Sequence, residues 1–198
     1  MKHIFTAIKQ AWTKQIDPGP SIIAQTLAPM IDGQHPLYLP RSGQAAHLRL
    51  ATYQDLSTFI HLEERTYNGY HAWQLHDFQS DFRKNPYALY LLIEDEGGHV
   101  LAGMNGRFLA RKSHISHVMV EPKMQGQGLG SYFMGLWVVA ADYLEVDKID
   151  LEVRVSNQAA LALYQKYGFQ IIERKPHYYF FDNGEDAFLM RREVKDGL

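Results

Sequence analysis

The chain has 198 residues, 46% of them apolar, a formal net charge of −2 and no cysteine. That length and apolar content suit one domain with a good core, or one domain plus an extension. The near-neutral charge leaves no electrostatic footprint for nucleic acid, and the missing thiols exclude disulfides, thiolate metal sites and a cysteine acyl-enzyme.

No apolar run approaches the roughly 18 residues needed to span a bilayer. Ile4 to Ile8 is too short for a secretory core, and Lys9 interrupts it. A cytoplasmic protein is the expectation. Ile4, Ile8, Trp12 and Ile16 repeat every four residues, with Lys2, Lys9 and Lys14 off that stripe, which predicts a short amphipathic helix stopped by Pro18 and Pro20. Three lysines are few for membrane anchoring. The favoured reading packs this helix on its own domain or on a second copy in a homodimer, with no membrane. Ser21 can cap a second helix to about Met30. Residues 1–46 thus read as an N-terminal helical extension, and residues 47–198 as the main domain.

That domain opens with an alternating strand at 47–51, after which Thr52 can cap a helix over Tyr53 to Arg65. Tyr67 to Trp73 suits a loop lining a cleft. A helix over Gln74 to Arg83 is stopped by Asn85-Pro86, and strands over Ala88 to Glu94 and His99 to Leu109 flank the turn Asp95-Glu96-Gly97-Gly98. The apolar run Ile115 to Val120 reads as a strand ended by Pro122. Gly126, Gly128 and Gly130 follow, then Phe133, Leu136, Trp137, Ala140 and Leu144 at helical spacing. Lys148 to Val155 is a further strand, with Asp150, Glu152 and Arg154 on one face. Asn157 can cap a helix to Tyr167 with Gly168 beyond its end. Phe169 to Glu173, Tyr178 to Phe181 and Ala187 to Arg191 close the sheet.

A glycine turn between strand and helix lets a ligand approach the backbone, and the first helical N–H groups carry the positive end of the dipole. Such a turn suits a phosphate or pyrophosphate. A Walker loop needs a lysine that is absent here, and a dinucleotide fingerprint fails at Ser131. Gln125-x-x-Gly128-x-Gly130 resembles the pyrophosphate loop of the GNAT superfamily of acetyl-coenzyme-A-dependent N-acetyltransferases. Leu151-Glu-Val-Arg-Val-Ser-Asn157, Leu163-Tyr164, Tyr167-Gly168-Phe169 and the tail from His177 to Met190 extend the likeness. Within the superfamily it is similar to the bacterial ribosomal-protein-alanine N-acetyltransferases, over about Leu48 to Arg192. Residues 1–46 depart from that pattern.

The resemblance implies an α/β (α+β) fold: a mixed, mainly antiparallel sheet flanked by helices on both faces, splayed between the central strand and the Lys148–Val155 strand. It implies acetyl-CoA as co-substrate and no metal. Backbone of Val118, Met119 and Val120 would pair with pantetheine, with a Met119 or Val120 N–H at the oxyanion. Gln125, Gly126, Gln127, Gly128, Leu129, Gly130 and Ser131 would hold the pyrophosphate, and Asn157 would touch the cofactor. Glu152 matches the family's base, acting directly or through water; a solvated residue paired with Arg154 or Lys148 is the alternative. Tyr164, about two helical turns after Asn157, would be the acid for the departing thiolate. Glu63, Glu64, Tyr67, Tyr178 and Tyr179 are candidates for the acceptor walls. His114 and His117, three apart on a strand, should face opposite sides and make a poor metal pair. The expected acceptor is a protein N-terminal α-amine, with a ribosomal protein as the family's example. A small amine, a polyamine, a lysine side chain, or a non-catalytic acyl-CoA-binding module are the alternatives.

Overall fold

The apolar runs pair into one sheet, eight-stranded among the described residues, in the order β1-β2-β3-β4-β5-β6-β8-β7. The computed structural model describes residues 19–31, 36–67 and 69–194, so the helix expected over Ile4 to Ile16 lies outside them. In chain order the elements are α1 (Ile22–Ile31), β1 (Leu37–Tyr38), β2 (Ala45–Leu50), α2 (Leu56–Thr66), α3 (Leu75–Lys84), β3 (Ala88–Asp95), β4 (Val100–Leu109), β5 (Lys112–Val120), α4 (Leu129–Tyr143), β6 (Lys148–Arg154), α5 (Gln158–Lys166), β7 (Gln170–Tyr179) and β8 (Glu185–Glu193). All neighbours are antiparallel except β5 and β6.

Local chemistry sets the helix ends. Ser21 Oγ accepts from Ala24 N at 3.0 Å, and Asn157 Oδ1 accepts from Ala160 N at 3.0 Å. Each satisfies an amide that the helix leaves unpaired. Gly168, at φ +80°, provides the left-handed residue beyond α5.

β3 is buried on both sides, so its apolar run is continuous rather than alternating. Leu89, Leu91 and Ile93 share a core with α1, α4 and α5, which includes Leu27, Phe133, Trp137 and Leu161. Ala88, Tyr90 and Leu92 pack on the other face with Phe59 of α2 and Phe78 of α3. A break drawn between residues 46 and 47 falls inside β2. Ile23, Leu27, Ile31 and Leu39 belong to the larger core, so the described part of the extension is built into the domain.

The tail departs from expectation. Two strands were expected over Phe169–Glu173 and Tyr178–Phe181, but β7 is one strand with two register shifts, and Phe180 and Phe181 lie in the turn beyond it. β7 is an edge strand, where Pro176 interrupts no central ladder.

One irregularity re-aims the central strand. Asn105 pairs with His117 but Gly106 pairs with Ile115, so Ser116 is an extra residue on β5. Before the bulge, Ser113 and Ile115 face α4: Trp137 Nε1 donates to Ser113 Oγ at 2.8 Å, and Ile115 lies in the same core. After it, His117 packs on Trp73 and Phe78, and Met119 joins the core under α2 and α3. His114 and His117 therefore reach the same side, which corrects the expectation that they face apart.

Candidate active site

β5 and β6 pair only from Lys112↔Lys148 to Ile115↔Leu151. Beyond that the strands part, and a cavity of about 370 Å3 opens between them. Its lining includes Glu152 and Arg154 from β6, Tyr164 from α5, and Tyr178 and Tyr179 from β7. His114, His117 and Val118 line it from β5.

Glu152 is placed by strand alternation opposite its buried neighbours Leu151 and Val153. Its Oε2 lies 2.7 Å from His114 Nε2, and its Oε1 accepts from Lys175 Nζ at 2.7 Å. Burial works against its charge, but the hydrogen bonds and charges of His114 and Lys175 outweigh that and hold its pKa at about 2. An ionised carboxylate only accepts, so His114 Nε2 carries the hydrogen. Asp150, on the same face, is held by Arg191 at 2.6 and 2.7 Å.

Tyr164 is 8% exposed and packs 6.0 Å from Phe169, centroid to centroid. Burial pushes its phenol up to about 12, so it keeps its proton through the neutral range. Arg154 sits 3.8 Å above the ring of Tyr179 and 4.7 Å from that of Tyr70. It also lies 2.7 Å from Asp182 and 3.1 Å from Glu185, which ties the β7–β8 hairpin to the cavity wall.

At the other end of β5, Gly126 and Gly128 adopt φ of +73° and +87°, and α4 starts at Leu129. Tyr132 N donates to Gly128 O at 2.9 Å. Among the described residues, the N–H groups of Gly126 to Ser131 have no backbone acceptor. They form a cradle at a helix N-terminus.

The Acetyltransferase (GNAT) family model matches residues 52–169. The chain belongs to the GNAT acetyltransferase family. A Bacillus subtilis (strain 168) protein, whose name as a ribosomal protein bS18-alanine N-acetyltransferase is provisional, is 33% identical over 146 residues, 73% of this chain and 93% of that protein. The Escherichia coli (strain K12) ribosomal protein bS18-alanine N-acetyltransferase is 30% identical over 138 residues, 69% of this chain and 89% of that one. The crystal structure of the E. coli ribosomal-protein-S18-alanine N-acetyltransferase superposes with a TM-score of 0.67 at 26% identity, covering 77% of this chain and 96% of that one. The protein is a GNAT N-acetyltransferase, and its family uses acetyl-CoA.

Glu152 in the cavity has two partners that the sequence does not announce. His114 and Lys175 both bind Glu152, although neither carried a role. No local spacing signals them, because they lie 38 and 23 residues from Glu152. Pro40 and Arg41 of the β1–β2 turn cover the glycine loop: a Cβ on Gly126 would lie 3.3 Å from Arg41 Nη1. The described part of the extension thus reaches the glycine turn before α4.

The candidate acceptor walls separate into three positions. Tyr67, Tyr178 and Tyr179 line the cavity. Glu64 is on the surface, 3.8 Å from His61. Glu63 is wholly buried behind the wall, where its Oε1 accepts from Ala72 N at 2.9 Å and lies 3.3 Å from His117 Nε2. Among the described residues no group of three or more His, Asp or Glu side chains is arranged to hold a metal ion.

Proposed function

We propose that this enzyme moves the acetyl group of acetyl-CoA to a protein N-terminal α-amine, with Glu152 facing the amine and Tyr164 facing the sulfur. The observation that carries the reading is the splay. It brings Glu152 and Tyr164 to one cavity beside a strand edge that β6 leaves unpaired. The relatives above, named for acetylating the alanine of a ribosomal protein, support the acceptor class.

The open edge suits the pantetheine arm. Glu121 N donates to Leu101 O at 2.9 Å. Antiparallel alternation then turns the N–H and C=O of Met119 toward β4, and those of Val118 and Val120 toward the open edge. Val118 and Val120 are therefore the pairing residues, and the Val120 N–H is the oxyanion donor. The amides of Gly126 to Ser131, with Gln125 beside them, take the pyrophosphate. Asn157 uses Oδ1 for the α5 cap and keeps its amide nitrogen for the cofactor.

Glu152 acts as a fixed negative charge. Full transfer of a proton from an α-ammonium near 8 to a carboxylate near 2 is roughly a millionfold unfavourable. The carboxylate instead orients the amine, which has lost its ammonium proton to solvent; as the C–N bond forms and the C–S bond breaks, the nitrogen sheds its second proton to water. Tyr164, still protonated, donates to the departing thiolate.

Two expected results follow from these protonation states. Because Glu152 is depressed to about 2, it stays ionised above roughly pH 4, and its favourable interactions are lost only as the pH falls toward 2. The rising limb of kcat/KM then belongs to the acceptor's own ammonium. For an alanine-initiated peptide its midpoint should be about 8, and for a lysine side chain about 10. A pH series on both acceptors checks this; an inflection near 4 to 5 lost in Glu152→Gln would contradict it. Tyr164→Phe should lower kcat about tenfold or more while the acetyl-CoA Kd stays within about threefold, by steady-state kinetics and calorimetry.

An acetyl-CoA assay against alanine-initiated peptides, free amino acids and polyamines tests the acceptor class. A polyamine preferred over every peptide would overturn the reading.

A further inference from the structure

Glu152 has two carboxylate oxygens, and both are engaged. His114 holds Oε2 and Lys175 holds Oε1, each at 2.7 Å. In the reading above, the acceptor's ammonium needs one of those oxygens. Which partner yields depends on how each is held. His114 projects from the central strand β5, and its Nδ1 is sealed from solvent. Its side chain is 26% exposed, but the strand is paired on both sides at that residue, to Arg107 of β4 and Asp150 of β6, and a short imidazole on that backbone has few places to go. Lys175 projects from the edge strand β7, at the start of a register shift that runs to Tyr179. Its side chain is 29% exposed. Its four-carbon stem is flexible, and a compact ammonium is readily rehydrated. Nζ also lies 5.3 Å from the centre of the Tyr178 ring.

Lys175 Nζ is also the chemical equivalent of the acceptor: a primary ammonium resting on the carboxylate that lines the cavity. We propose that Lys175 is a resident ammonium that occupies the acceptor's seat on Glu152, and that the incoming α-ammonium displaces it. The proposal rests on the assignment of Glu152 to the amine.

The seat has a physical purpose. With no acceptor bound, a carboxylate in this half-enclosed cavity would otherwise lack a donor on Oε1. Lys175 satisfies it until the substrate brings an equivalent group. The exchange replaces one ammonium by another, so the charge at Glu152 is unchanged by binding. The resident is the poorer nucleophile of the two. Its hydrogen bond to Glu152 raises its pKa above the ordinary lysine value, so it carries no free lone pair. An α-amine titrates near 8 and supplies one. The displaced Lys175 ammonium stays near the cavity mouth, over the Tyr178 ring, where a cation is tolerated.

The test compares two substitutions with opposite expected signs, using the full chain and an alanine-initiated peptide. Lys175→Met keeps the length of the stem and removes the competing charge, so acceptor KM should fall at least threefold. Lys175→Arg presents a fork that can bind both carboxylate oxygens and is harder to displace, so KM should rise at least threefold. Acetyl-CoA Kd should stay within twofold in both, and Tm should confirm that both fold; Lys175→Gln serves if the methionine variant does not. A merely structural lysine would move KM the same way in both variants. An unchanged or raised KM in the neutral variant overturns the proposal. Glu152→Gln separates the two levels of the argument. If it loses turnover while the neutral Lys175 variant does not lower KM, only the seat is wrong; if it keeps wild-type turnover, the assignment of Glu152 falls as well.

Discussion

Glu152→Gln is expected to lower kcat at least tenfold while leaving the acetyl-CoA Kd within about threefold. The change keeps the side chain's size and removes its charge. Of His114 and Lys175, one would keep the amide oxygen and the other would face the amide nitrogen, and the amine would lose the anion that orients it. The coenzyme is expected to be held elsewhere, by the β5 edge and the amides of Gly126 to Ser131, so its affinity should barely change. Steady-state kinetics with an alanine-initiated peptide, alongside calorimetry with acetyl-CoA, measures both quantities. A variant with wild-type kcat from pH 6 to 9 would remove Glu152 from the mechanism.

Gly106→Ala should have the larger effect on stability. A Cβ at that position would lie 2.2 Å from His114 O, 3.0 Å from Ile115 Cα and 3.0 Å from Trp137. Two of those three contacts are backbone, and Trp137 is fully buried, stacked on Phe108 at a centroid distance of 4.6 Å. None can yield cheaply, because packed interiors have little free volume. The cost should be about 4 kcal/mol or more, lowering Tm by roughly 10 °C. Gly19→Ala is the control, since a Cβ there meets nothing within 4 Å, and its Tm should stay within about 2 °C. The functional consequence follows from the same contacts. Gly106 is where the register shifts, and the shift brings His117 to the side of the strand that carries His114. A partly folded variant that retains CoA binding should still turn over poorly.

Much of the architecture was readable because its causes are local. The hairpin at Asp95 to Gly98, the cap at Asn157 and the glycine turn before α4 are each specified by a few adjacent residues. The alternation in β6 likewise separates Glu152 from Leu151 and Val153, and the structure turns Glu152 to the cavity. What surrounds Glu152 was not readable in the same way. The expected alternative partners, Arg154 and Lys148, are neighbours in sequence. The observed partners come from β5 and β7, and Arg154 instead joins Asp182 and Glu185. His114 and His117 were expected to face apart because strict alternation assumes an unbroken strand, and Ser116 breaks it.

By itself the sequence determined most of the elements, the glycine turn before α4 and the resemblance to the family, because periodicity, capping and turn chemistry act over a few residues; it divided β7 in two. The tertiary structure alone decided where β5 and β6 separate, which way β5 turns after its bulge, and which donors close on the Glu152 carboxylate. Those features depend on strand register between distant segments. A single inserted residue reverses every side chain that follows it, and no short window of sequence records that.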